Sequence, residues 1–253
     1  LSRPILETRA LRKAFGRVLV ANGLDLAFEE GAITSVIGPN GAGKSTLINM
    51  LSGLIAPDSG DIFFLGRQIT RLPIYRRVKM GLCRSFQVVN VFPELTAFEN
   101  IEIPVLAAQG RAARLLSPLS GETPAGEEAS AILSRVGLSH AARSTATTLS
   151  HGDQRLLEIG IALGARPRLL FLDEPTAGMN PVERTKILDG IKRISAEGKT
   201  TFVIVEHDMD VVFSLSDRII VLHHGDIIAD GTKDDIQSSS KVREVYLGDE
   251  VEE

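Results

Sequence analysis

A single cysteine, Cys83, is all the thiol this 253-residue chain contains. One cysteine allows neither an intrachain disulfide nor a multi-cysteine zinc site, so a reducing cytoplasm is the expected compartment. Long apolar runs are missing too. The longest, residues 169–172 and 202–205, are strand-sized and far below the roughly 18 residues of a membrane span. Nor is there a basic excess: 28 Lys and Arg stand against 32 Asp and Glu, a net charge of −4. Nucleic-acid binding usually draws on a positive surplus, so no nucleic-acid partner is expected. The start at Leu1 shows no charged-then-apolar export signal, in keeping with the same compartment.

What remains is ordinary globular composition, 43% hydrophobic and 24% charged, over a length that suits one large domain or one domain with a sizeable insert. Residues 5–28 are β-like and broken by Gly16 and Asn22-Gly23, which reads as antiparallel strands joined by tight turns. A β-branched run at 33–37 leads into a glycine-rich loop and then a helical pattern from Lys44 to Leu51. Further strands are expected at 61–65 and 83–86, with a short basic helix at 73–80 between them. From about 88 to 165 the pattern turns helical, with candidates at 97–108, 127–136 and 152–164 and an Ala/Ser/Pro/Gly-rich connection at 110–126. Strands return at 169–172, 201–205, 219–222 and 227–229, the first two separated by an amphipathic helix at 181–196. Alternating strands and helices argue for an α/β sheet with parallel strands, interrupted by an inserted helical block.

The loop Gly38-Pro39-Asn40-Gly41-Ala42-Gly43-Lys44-Ser45 fits G-x-x-x-x-G-K-[ST] between a strand and a helix. Glycines let backbone N–H groups close round phosphates, Lys44 supplies a point charge, and Ser45 offers a hydroxyl to Mg²⁺. The helix N-terminus adds the positive end of its dipole. Such a loop says only that a nucleotide binds.

Three further strings narrow it. Leu149-Ser150-His151-Gly152-Asp153-Gln154 precedes an apolar helix; residues 169–172 form an apolar strand ending in Asp173 and Glu174; and His207 follows another core strand. Together, in this order and over essentially the whole chain, they resemble the ATP-binding cassette (ABC) ATPases. The resemblance implies a P-loop NTPase (RecA-like) α/β core with an N-terminal antiparallel β-subdomain and an inserted α-helical signature subdomain. It implies a single domain over 1–253, with 1–87 and 166–253 as core and 88–165 as helical subdomain. ATP and Mg²⁺ are the implied cofactors.

By that resemblance the nucleotide is contacted by Phe15, stacked on adenine, by Gly38, Pro39, Asn40, Gly41, Ala42, Gly43, Lys44, Ser45 and Thr46, and by Ser150, Gly152 and Gln154. Ser45, Gln87 and Asp173 are the implied metal-side residues: an apolar strand delivers Asp173 to its carboxyl end, where a carboxylate can hold Mg²⁺ through water. Lys44 and Gln87 act with Glu174, placed to take a proton from the attacking water, and with His207, which contacts the γ-phosphate. Each of these has a plainer alternative: an Asp-Glu pair can cap a turn, a lone His is often structural, a Gln is often a surface amide, and a Phe is often core. Ser150 and Asp153 also satisfy the capping pattern [ST]-x-x-[DE], which is compatible with both uses.

In the family the signature serine and glycine close on the γ-phosphate held by a second subunit, so each ATP site needs two chains. This sequence departs from Leu-Ser-Gly-Gly-Gln at His151 and Asp153, and has Asn180 where the dimer-contact loop commonly has Asp. Local strings such as Pro175-Thr176-Ala177-Gly178-Met179-Asn180-Pro181 and Val205-Glu206-His207-Asp208-Met209 resemble the ATPases of branched-chain amino acid importers. The implied partners are a second cassette, identical or related, integral-membrane permease subunits, and indirectly a substrate-binding protein, with the chain peripheral on the cytoplasmic face of the cell membrane. Importers of urea or amides, an export or lipid-extraction system, a non-transport ABC ATPase and a nucleotide-binding regulator are the alternatives.

Overall fold

The protein is described by a computed structural model covering residues 4–85, 91–111 and 123–248. In chain order the elements are β1 (Leu6–Phe15), β2 (Val18–Phe28), β3 (Ile33–Ile37), α1 (Lys44–Ser52), β4 (Ser59–Phe64), β5 (Arg67–Gln68), α2 (Ile74–Lys79), β6 (Leu82–Arg84), α3 (Ala97–Ala108) and α4 (Pro124–Val136). They continue with α5 (His151–Gly164), β7 (Leu169–Asp173), α6 (Pro181–Ser195), β8 (Thr201–Val205), α7 (Met209–Leu215), β9 (Arg218–His223), β10 (Asp226–Gly231), α8 (Lys233–Ser238) and α9 (Ser240–Gly248). The described residues divide into two compact units, one within 4–80, 171–174 and 201–248, the other within 81–85, 91–111, 123–170 and 175–200.

The first unit holds an antiparallel sheet in the order β2-β1-β4-β5 and the strands β10-β9-β3-β8-β7 of a second sheet. β3 lies between β8 and β9 and runs parallel to both, Val36 facing Val205 on one side and Ile220 on the other. All five residues of β3, β7 and β8 are buried, as expected of strands covered on both faces. β10 turns back antiparallel on β9.

The expected turn at Asn22-Gly23 does not form, and β2 runs straight through it. β1 carries one extra residue between Thr8 and Leu11, and β2 carries one between Leu24 and Asn22, so the ladder slips and recovers. Gly23 absorbs the second bulge at φ +72, a conformation that glycine adopts without steric cost. The strands pair on both sides of the bulges and no reversal is needed.

In the second unit α3, α4, α5 and α6 pack together, and Gly81 beside β6 accepts the N–H groups of Arg168 and Leu169 at the start of β7. α3 begins on a capping box between Thr96 and Glu99. α4 starts three residues before the expected 127, because Thr123 caps it and Pro124 takes its first turn. Of the expected connection at 110–126, residues 112–122 lie outside the described residues.

Helices α7, α8 and α9 were not anticipated from the pattern. They bury Val212, Ile236 and Val242 against Ile219 and Val221 of β9. Asp208 caps α7, and a Thr232–Asp235 capping box starts α8.

Candidate functional site

The chain leaves the buried end of β3 at Gly38, where φ is +149 and an added Cβ would stand 2.1 Å from the Leu222 carbonyl oxygen. At Gly43, φ +103, a Cβ would stand 2.3 Å from the Val20 carbonyl oxygen. Backbone closes on backbone at both points, so only glycine fits. Behind the loop Ala42 is buried, and its carbonyl accepts the Gly225 N–H at 3.2 Å. Asn40, Gly41 and Ser45 are exposed, while Pro39 and Thr46 are half-buried. Gly43 precedes α1 without any side-chain cap, which leaves the helix's first N–H groups for an outside acceptor.

Lys44 Nζ folds back on its own loop, donating to the Gly38 oxygen at 2.5 Å and the Pro39 oxygen at 2.9 Å. Burial pushes its amine below the usual 10.5, opposed first by the charge of Glu174 and then by that of Asp173. A partly desolvated ammonium held by carbonyl oxygens is a ready partner for phosphate.

β7 ends on Asp173, 3% exposed. Glu174 follows at φ +44, and its N–H donates to the Val205 oxygen at the end of β8 at 2.9 Å. A left-handed non-glycine residue costs on the order of 1 kcal/mol or more and points to a functional constraint. Just past β8 the His207 N–H donates to the carboxylate of buried Glu206 at 3.2 Å. The His207 Nδ1 stands 3.7 Å from Glu174 Oε1, with the imidazole 64% exposed. Lys44, Asp173, Glu174 and His207 therefore gather at the carboxyl ends of β3, β7 and β8, where ligands of open α/β sheets bind. Ser45 and Asp173 offer the hard oxygen donors that Mg²⁺ prefers. Among the described residues no group of three or more His, Cys, Asp or Glu could hold a metal ion.

Phe15, at the end of β1, exposes half of its surface and lies 5.4 Å from Lys13 Nζ. Asp58 ties this strand end down, accepting from Lys13 Nζ at 2.7 Å and from the Ala14 N–H at 2.8 Å.

In the second unit Ser150 caps α5, its hydroxyl accepting the Asp153 N–H at 3.1 Å, so the capping pattern is realised. Gln154 Nε2 donates to the Ala146 oxygen at 3.0 Å. The Gly152 N–H donates to Glu183 Oε1 at 3.2 Å, and a Cβ there would meet Glu183 Cγ at 2.9 Å. Glu183 was missed in the sequence. Its signal was the string Asn180-Pro181-Val182-Glu183, a capping box with proline in the first turn. Gln87 lies outside the described residues.

The family model described as ABC transporter matches residues 21–177. The chain belongs to the ABC transporter family. This cassette is 41% identical over 258 residues to the high-affinity branched-chain amino acid transport ATP-binding protein BraF of Pseudomonas aeruginosa, covering 98% of this chain and 100% of that one. It is 37% identical to the corresponding protein LivG of Escherichia coli K12, again over 98% and 100% of the two chains. Among solved structures the cassette matches the ADP conformation of MJ1267, an ATP-binding cassette of an ABC transporter, with TM-score 0.85 and 31% identity over 98% of this chain and 100% of that one. It also matches a dimeric post-hydrolysis state of the cassette MJ0796 bound to ADP and Pi, with TM-score 0.73 and 27% identity over 90% and 98% of the two chains. The cassette is thus an ABC ATPase with the P-loop α/β fold expected of it.

Proposed function

We propose that this cassette binds and hydrolyses ATP as the energy-supplying subunit of an importer for branched-chain or related amino acids. The observation that carries the chemistry is the approach of Glu174 to His207 beside Lys44 and Asp173, at the carboxyl ends of the core strands. The solute class rests on the likeness to the branched-chain amino acid relatives.

Lys44 exchanges its two loop carbonyls for phosphate oxygens, joined by the uncapped N–H groups at the start of α1. Phe15 offers its exposed ring to adenine. Ser45 and Asp173, with Gln87, are the residues that would hold Mg²⁺. When bound, the ion supplies neutralisation of the charge that develops on the transferring phosphoryl group. Glu174 takes the proton of the attacking water, and His207 lies beside it to contact the γ-phosphate. Ser150, Gly152 and Gln154 complete the site of a second cassette, so two chains close on two nucleotides and reopen after hydrolysis, a ligand-biased two-state switch. That motion passes to permease subunits, with the cassette peripheral at the cytoplasmic face of the membrane and a substrate-binding protein delivering the solute. No helix among the described residues is long and apolar enough to cross a membrane.

The test is sedimentation and hydrolysis of Glu174→Gln beside the parent. Dimers in Mg-ATP but not in Mg-ADP, with turnover down by about a hundredfold or more, are expected. Retained turnover, or monomers in every nucleotide even with a second cassette present, would sink the mechanism. Cells without this chain should lose leucine uptake while urea uptake persists; the reverse would reassign the solute.

A further inference from the structure

Glu183 stands between the start of α6 at Asn180 and the start of α5 at Gly152, which the proposed function uses. One carboxylate oxygen, Oε2, accepts from Asn180 Nδ2 at 2.8 Å and from the Asn180 N–H at 3.4 Å, while Oε1 accepts the Gly152 N–H at 3.2 Å. Asn180 Oδ1 in turn accepts the N–H groups of Val182 and Glu183, each at 3.0 Å. This settles what Asn180 does: one end of its amide accepts while the other donates to a carboxylate. Aspartate could accept equally well, but would set a second carboxylate against Glu183.

Three N–H groups at the start of α5 find acceptors inside the chain. Ser150 Oγ takes the Asp153 N–H, the Ser150 oxygen takes the Gln154 N–H at 2.8 Å, and Glu183 takes the Gly152 N–H. The first two are ordinary cap and helix bonds. The third is an anion resting on the N–H of a helix start, favoured by the dipole, yet at 3.2 Å it is long for a charge-assisted bond, which normally measures about 2.7–2.9 Å. The firm anchor of Glu183 is Asn180, and its hold on Gly152 is loose. Gly152 is buried and has no room for a side chain against Glu183 Cγ.

We infer that Glu183 is a positioning residue for closure: its carboxylate occupies the Gly152 N–H at rest and must yield it when a phosphate of the opposing site arrives. Two anions cannot share one N–H without repulsion, so the charge on Glu183 raises the nucleotide level at which two chains close, and Asn180 sets how far that carboxylate leans toward Gly152. Asp153, half-buried in the same turn, adds a second negative charge, whereas His151 is exposed. The inference rests on the two-chain site proposed above.

Glu183→Gln removes the charge and keeps a residue that serves the third position of a capping box as glutamate does. In the Glu174→Gln background, with the chain alone and mixed with a second cassette, the ATP concentration at half-dimerisation should fall by about fivefold or more, the factor a unit charge about 4 Å away gives even in bulk water. With Glu174 intact, KM for ATP should fall by more than kcat changes. Asn180→Asp should shift dimerisation the opposite way, and that shift should vanish once Glu183→Gln is present. If half-dimerisation is unmoved or moves up in Glu183→Gln with its melting temperature unaltered, or if the Asn180→Asp shift persists in Glu183→Gln, the inference fails while the two-chain site stands. If Glu174→Gln forms no dimer in any mixture, both fall together.

Discussion

A lysine surrounded by the carbonyls of its own loop is short of water before any phosphate reaches it. Burial holds Lys44 below its ordinary pKa, and the carboxylates of Glu174 and Asp173 act against that burial. In the proposed site an incoming phosphate would restore what burial removed, and the charged amine would bind it with little further desolvation penalty. Glu102 shows the reverse case. It is 1% exposed, its Oε2 has no hydrogen-bond partner, and burial followed by the nearby charge of Glu99 pushes its carboxyl above the usual 4.5, against the opposing effect of a side-chain hydrogen bond with Thr123. With the folded pKa raised, the contribution of the neutral acid is fully present below about pH 4.5 and is lost as pH rises through the folded value. Glu102→Gln should therefore match the parent at pH 4 and exceed it at pH 8 by on the order of 1 kcal/mol, the lower range for a buried group with one oxygen left unsatisfied. Denaturant midpoints at the two pH values measure this, and a variant weaker than the parent at pH 8 contradicts it.

At the scale of elements, α1 is open at one end and tightly closed at the other. Its start carries no side-chain cap, whereas its end is closed by Gly53 in the left-handed conformation and by the guanidinium of Arg77 from α2. Arg77, 1% exposed, donates to the Met50 and Leu51 oxygens of α1 at 2.9 and 2.7 Å, and to the Thr70 and Leu72 oxygens at 3.0 and 2.9 Å. Burial lowers its pKa to about 10. A cation at the C-terminal end complements the dipole whose other end faces the phosphate loop. Arg77→Met should cost about 3 kcal/mol or more in unfolding free energy, because buried carbonyls lose their donor. Arg77→Lys should recover little, since one ammonium cannot span the fork of four acceptors. Urea unfolding of the three proteins decides between these outcomes.

For the whole molecule, the residues of the first unit proposed to meet the nucleotide come from widely separated stretches, 15, 38–46, 173–174 and 207, and only the folded chain assembles them. A ligand that binds only the folded state stabilises it by mass action, about 2.7 kcal/mol at a hundred times Kd, which for a chain of this size is roughly 5–10 °C in Tm. Thermal unfolding in Mg-ATP should show that shift, and Lys44→Ala should abolish it. A parent that melts at the same temperature with and without Mg-ATP would remove the nucleotide site from the first unit.

The sequence by itself determined whatever is local. The phosphate loop is contiguous, its glycines and Lys44 forming one string between a strand and a helix, and residues 33–37, 97–108 and 201–205 show their element in their own spacing. The carboxylate pair at the end of β7 was legible for the same reason, because a buried strand must end where its chain turns polar. The tertiary structure decided what depends on pairing across distance. Asn22-Gly23 has the composition of a turn, and only the compensating bulge in β1 makes it the interior of a strand. His207 comes within 3.7 Å of Glu174 because the Glu174 N–H is bonded to the end of β8. Glu183 reaches Gly152, 31 residues away in sequence, because α5 and α6 pack together. Backbone preference and nearby hydrogen bonds are written in consecutive residues, but strand register and helix packing are chosen by the burial of the whole core, and no short stretch of sequence contains that choice.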